Sequence, residues 1–173
     1  MAPPIMIMGI MASGKSRIGE QLAQQLGGVF IEGDDWHPAS NVEKMRAGIP
    51  LTDEDRAPWL GRLADEIIRA SETGQRVVFS CSALKQTYRN QLRASLPGLM
   101  TICLTVDAKT AAHRSGSRAS HFMPAGLVES QLATLELPQN EARTELLDAT
   151  QDFERVFEQV QRAIERLKSD EVS

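Results

Sequence analysis

The chain has 173 residues, a length that suits one domain around a single hydrophobic core. Its 19 Lys and Arg against 23 Asp and Glu leave a net charge of −4, which argues against a general nucleic-acid binder or a polybasic membrane binder. The 42% hydrophobic and 24% charged fractions suit a folded soluble protein, and two Cys cannot build a disulfide framework.

Cys81 and Cys103 sit in apolar runs and are expected to be buried, inert thiols. No run approaches the roughly 18 apolar residues of a membrane span. The first residues lack a charged segment before their short apolar stretch, so no signal peptide is expected and the cytosol is the expected compartment. Two Trp, one Tyr and five Phe are too few for a base-stacking platform.

In chain order, residues 5–8 read as a short apolar strand ending at Gly9. Residues 15–26 carry Ile18, Leu22, Ala23 and Leu26 at helical spacing and stop at two glycines. A second strand is expected at 29–31. Residues 33–55 read mostly as loop, with a short helix near 41–47. A helix over 60–70 places Leu60, Leu63, Ala64, Ile67 and Ile68 on one face, and Gly74 ends it.

A third strand is expected at 77–81, a helix over 84–96 and a fourth strand at 101–106. Asp107 is expected to cap a helix running through Arg114. Residues 115–124 are polar and loop-like, and 127–135 read as a helix. Leu146 and Leu147 mark a fifth strand, and 153–167 a terminal amphipathic helix. Short apolar strands alternating with helices predict an α/β fold: a parallel five-stranded sheet with helices on both faces. Ligands in such sheets bind at the carboxyl ends of strands, which directs attention to residues 9–16, 33–37, 82–85 and Asp107.

Gly9, Ile10, Met11, Ala12, Ser13, Gly14, Lys15 and Ser16 fit the pattern GxxxxGK[ST], between a strand and a helix. Glycines let the backbone N–H groups face phosphate oxygens, and the helix N-terminus favours the same anions. Lys15 is expected to reach the β- and γ-phosphates, and the Ser16 hydroxyl to ligate Mg²⁺. The motif predicts a three-layer P-loop NTPase fold binding ATP. Segments of the NKxD and DxxG type expected of GTP switches are missing, so a small-molecule kinase fits best. Such a kinase needs an acceptor site, a base, cations and a lid.

Asp34, first off the second strand after Gly33, is preferred over Asp35 as the base. Lys85 is placed to point back over the strand ends, while Arg89, four residues on, reads equally as surface. Arg114, Arg118 and His121 lie in a Gly/Ser-rich stretch that suits a mobile lid over about 115–125.

Beyond the phosphate loop, the chain resembles the gluconate kinases, small P-loop enzymes related to shikimate and adenylate kinases. The family's DGDxxHPxxNxxKMxxGxPLxDxDRxPWL string is matched from Gly33 and Asp34 through His37, Pro38, Asn41, Lys44, Met45, Asp53, Asp55, Arg56 and Trp59. CSALKxxYRxxLR is matched from Cys81 to Arg93. The lid pattern is matched by Arg114, Arg118, His121, Phe122, Ser130, Gln131, Leu135, Glu136 and Pro138. One departure is Glu32, where the family has Asp, and the acidic residue completing the Mg²⁺ shell is not evident from the motif.

The resemblance implies transfer of the ATP γ-phosphate to the 6-hydroxyl of D-gluconate. Asp34, Lys15 and Arg118 then act in catalysis, Arg114 joins the phosphate loop at ATP, and His37, Arg56, Lys85, Arg89 and His121 face the sugar acid. It also suggests a homodimer. A shikimate-like acceptor and a non-catalytic ATP-binding regulator are the alternatives. The acidic chain is expected to hide a basic cleft, with Lys15, Lys44, Arg56, Lys85, Arg89, Arg114 and Arg118 converging on the strand ends.

Overall fold

The computed structural model describes residues 1–116 and 126–169. Five strands, β1 Ile5–Met8, β2 Val29–Glu32, β3 Val77–Cys81, β4 Met100–Thr105 and β5 Thr144–Asp148, form one parallel sheet in the order β2-β3-β1-β4-β5. The helices among the described residues are α1 Lys15–Gln25, α2 Ala39–Arg46, α3 Asp53–Glu72, α4 Gln86–Ser95, α5 Ala108–Gly116, α6 Gly126–Thr134 and α7 Phe153–Ser169. A 3-10 turn, Gly33–Trp36, follows β2 directly.

Central β1 pairs with β3 on one side and β4 on the other. The chain leaves β1 toward one edge and crosses to the other after β3, so a crevice opens at the carboxyl end of β1. Every β1 residue is buried, and the pleat sends alternate side chains to opposite faces. Ile5 and Ile7 join Ile102 and Leu104 beneath α1 and α7. Met6 and Met8 join Phe79, Cys81, Cys103 and the α3 residues Trp59, Leu63 and Ile67. A one-residue slip would exchange these two cores, so the register that sets the strand ends is fixed by packing. Burial pushes both cysteine thiols up to about 12.

The largest departure from the sequence reading is α3, which begins at Asp53 rather than near residue 60. Thr52 Oγ1 accepts from the Asp55 N–H at 3.2 Å, and Asp55 Oδ2 accepts from the Thr52 N–H at 2.9 Å. This capping box starts the helix despite Pro58, which is exposed in its second turn. The helix expected near 41–47 is α2, shifted two residues toward the N-terminus at its start. Asp107 caps α5 as expected, its Oδ1 accepting from the Thr110 N–H at 2.6 Å. The expected lid lies outside the described residues except for Ser115 and Gly116.

Candidate active site

The loop between β1 and α1 is shaped by backbone that few side chains tolerate. Gly9 has φ +152°, and a Cβ there would sit 2.7 Å from the Leu104 carbonyl oxygen. Ala12 and Gly14 also have positive φ, +63° and +91°. These turns leave the first N–H groups of α1 at the crevice, where an anion would be stabilised. Lys15 Nζ donates to the Ile10 carbonyl at 3.4 Å. The Met11 N–H donates to Gln131 Oε1 at 2.6 Å, tying the loop to α6.

At the end of the loop, Ser16 Oγ donates to Glu32 Oε2 at 2.5 Å. The other Glu32 oxygen accepts from Ser80 Oγ on β3. A hydroxyl and a carboxylate side by side at a phosphate loop are the hard oxygen donors that Mg²⁺ takes, so these residues fit that ion. The sequence showed Glu32 only as a departure from the family string and left the acidic partner of Mg²⁺ open; its pairing with Ser80 at the end of β2 emerges from the fold.

Asp34 comes next and is held from behind. The Gly33 N–H donates to Ser80 Oγ at 3.1 Å, and its carbonyl accepts from Trp59 Nε1 at 2.8 Å. A Cβ at Gly33 would lie 2.0 Å from the Ser80 carbonyl oxygen, so only glycine fits between β3 and Trp59. Asp34 lines a cleft with Lys15, His37, Arg56, Ser82 and Gln131. Desolvation in the cleft raises its pKa, but the His37 ring and the Lys15 ammonium outweigh this and hold the carboxyl below its ordinary range. Asp34 is thus an ionised carboxylate, half exposed, in reach of a ligand.

The opposite wall of the cleft is the turn between α2 and α3, with Ile49, Pro50 and Leu51, followed by Arg56. The Arg56 guanidinium lies 5.2 Å from the Tyr88 ring centroid and donates to the Leu51 carbonyl at 3.4 Å. Tyr88 donates its hydroxyl to Asp53 Oδ1, and Lys85 Nζ reaches the same oxygen at 3.0 Å. Lys85, expected to face the sugar acid, does not line the cleft and is held by Asp53. Lys44 is held at 2.8 Å by Asp55.

Arg89 does not line the cleft. It is fully buried, with Nη2 2.6 Å from Glu141 and Nη1 donating to the Ala83 and Leu84 carbonyls. Arg93 adds a second contact to Glu141 at 2.5 Å. Arg89 follows Tyr88 by one residue on α4, which turns it beneath the helix and into the packing against Glu141 instead of toward the sheet's crevice. What it supports is the 83–84 turn, where Ala83 has φ +44° and Leu84 lines the cleft.

Arg114 stands on the far side of the phosphate loop. Its Nη1 donates to the Ala12 carbonyl at 3.4 Å and its Nη2 to the Ala149 carbonyl at 2.7 Å. With Arg17, Gln151 and Phe153 it lines a second cavity, and Arg17 stacks over the Phe153 ring at 3.9 Å. Of the seven cations expected to converge, Lys15 and Arg56 line the cleft with Asp34 and Arg114 this second cavity, while Lys44, Lys85 and Arg89 line neither. Arg118 and His121 lie outside the described residues.

A phosphate loop with its lysine, opening on the same cleft as an ionised aspartate, defines a P-loop small-molecule kinase, whose nucleotide is ATP. The AAA domain family model matches residues 5–138. The thermosensitive gluconokinase of Escherichia coli (strain K12) is 42% identical over 170 residues, spanning 96% of this chain and 89% of the relative. The gluconokinase of Gluconobacter oxydans (strain 621H) is 45% identical over 78% of this chain and 75% of its own. The crystal structure of a gluconokinase from Sinorhizobium meliloti 1021 superposes with a TM-score of 0.88 at 42% identity, covering 97% of this chain and 94% of that one. The chain belongs to the gluconokinase family.

Proposed function

We propose that this protein phosphorylates D-gluconate at its 6-hydroxyl with ATP, giving 6-phospho-D-gluconate and ADP. The observation that carries the reading is the shared cleft, in which the Asp34 carboxylate, the Lys15 ammonium and the Arg56 guanidinium face one space. A linear polyol ending in a carboxylate matches that set: a cation for one end, a base for the hydroxyl at the other.

The backbone of residues 9–16 cradles the ATP phosphates, and the second cavity, with Arg114, receives the rest of the nucleotide. Ser16 and Glu32 would hold Mg²⁺, which when bound offsets charge on the phosphate oxygens. Asp34 accepts the proton of the 6-hydroxyl as its oxygen bonds to the γ-phosphorus, and the bond from that phosphorus to the ADP oxygen breaks. Lys15 neutralises the transferring group, with Arg118 as the second cation assigned to it. Arg56 takes the gluconate carboxylate, for which a guanidinium offers paired donors. His37 borders the sugar acid, and Lys85 and His121 are the further residues assigned to it. The reaction belongs in the cytosol, where ATP is held.

A coupled ADP-release assay over sugar acids and polyols tests this. Gluconate should exceed shikimate and glycerol in kcat/KM by at least about 100-fold, the discrimination of a site built around buried polar contacts. Equal rates would defeat the substrate assignment, and ATP binding without turnover on any acceptor would favour a regulator.

A further inference from the structure

Asn41 is 2% exposed and does not itself line the cleft. Its amide nitrogen donates to the Asp55 backbone carbonyl at 2.9 Å and lies 3.2 Å from His37 Nδ1. The first contact settles the second. A backbone carbonyl only accepts, so the amide must turn its nitrogen that way, and the remaining N–H then points at Nδ1. A ring nitrogen that accepts a hydrogen bond carries a lone pair, so the His37 proton sits on Nε2.

Nε2 is the atom that faces Asp34, 3.7 Å from Oδ1. That is beyond a hydrogen bond, but catalytic contacts are commonly long without substrate and tighten when it binds. Trp59 stacks on the ring at 3.9 Å between centroids and 21° between planes, which holds the plane of the ring. Trp59 is itself fixed by its bond to the Gly33 carbonyl.

The geometry points to Asn41 as a positioning residue that sets the His37 tautomer, so that His37 presents an N–H to Asp34 and orients the base. This rests on Asp34 serving as the base, and it reaches beyond it: the buried amide, which touches no substrate, governs turnover through the ring.

The test has two arms on the full chain. Long-range proton–nitrogen NMR on protein labelled with ¹⁵N-histidine, with the His37 signals assigned by their loss in H37Q, reads the tautomer without any assay. The Nε2–H form is expected, and an Nδ1–H form overturns the inference. The second arm compares N41D with N41L. Both lose the bond to Asp55, so a purely structural role predicts equal turnover for the folded fractions. The inference predicts otherwise, because a carboxylate accepts from Nδ1–H and reverses the ring. N41D should show the reversed proton and a kcat about 10–100-fold below wild type, the range seen for outer hydrogen-bond partners, and below that of N41L. Its KM for ATP should stay within about twofold of wild type. Equal kcat in the two variants, or full kcat in N41D, overturns it. D34N run alongside separates the two claims: unchanged turnover there defeats the base assignment itself.

Discussion

The Ser16 hydroxyl donates to Glu32 Oε2 at 2.5 Å, joining the end of the phosphate loop to the end of β2. Because Ser80 holds the other Glu32 oxygen, the carboxylate is fixed from two sides. If Ser16 and Glu32 hold Mg²⁺, E32Q should raise the Mg²⁺ concentration needed for half-maximal ADP release by about 10–100-fold. E32D, which keeps the charge but shortens the reach, should fall between. A Mg²⁺ titration unchanged in E32Q would remove Glu32 from that role.

Asp34 gives a pH signature. Desolvation raises its pKa, but His37 and Lys15 together lower it below the usual value of 3.8. A depressed carboxyl stays ionised down to lower pH, so the acid limb it contributes to kcat/KM falls below about pH 4. Turnover should therefore show no inflection from this group between about pH 5 and 8. H37Q removes one of the two stabilising neighbours, and its acid limb should move upward. The check is a pH–rate profile of both proteins at saturating ATP.

The central strands β1, β3 and β4 were readable in advance because burial on both faces leaves mostly apolar runs, and the helix patterns between strands left one layered arrangement. The phosphate loop was readable because its glycines are demanded by backbone geometry. The start of α3 was not, since Pro58 reads as a break and the capping box that overrides it depends on the pairing of Thr52 with Asp55. Arg89 could not be placed either. Nothing in the spacing of α4 reveals that Glu141, 52 residues away, waits to receive it. Asn41 and Trp59 matched the family string, but what they do emerges only when α2 and α3 pack behind Asp34.

The Arg89–Glu141 pair makes a stability prediction. Desolvation raises the Glu141 pKa, and the hydrogen bonds from Arg89 and Arg93 overcome it, so the carboxyl is held below its usual 4.5. Its contribution is therefore complete above about pH 4.5 and is lost as the pH falls below that value. E141Q leaves the fully buried Arg89 without its counter-charge and should cost about 3–5 kcal/mol. That corresponds to a Tm roughly 6–20 °C lower at this chain length. Thermal unfolding at neutral pH measures it, and a shift under about 2 °C would mean that the pair contributes little.

The central claim is that Asp34 takes the proton of the acceptor hydroxyl in the cleft it shares with Lys15. The direct measurement is kcat for D34N with gluconate, beside the affinity of the same variant for ATP. Asparagine keeps the shape and loses the base, so kcat should fall by about 10²–10⁴-fold while ATP affinity changes less than about threefold. Turnover within a few-fold of wild type in D34N would contradict the account, however well the fold and the phosphate loop stand.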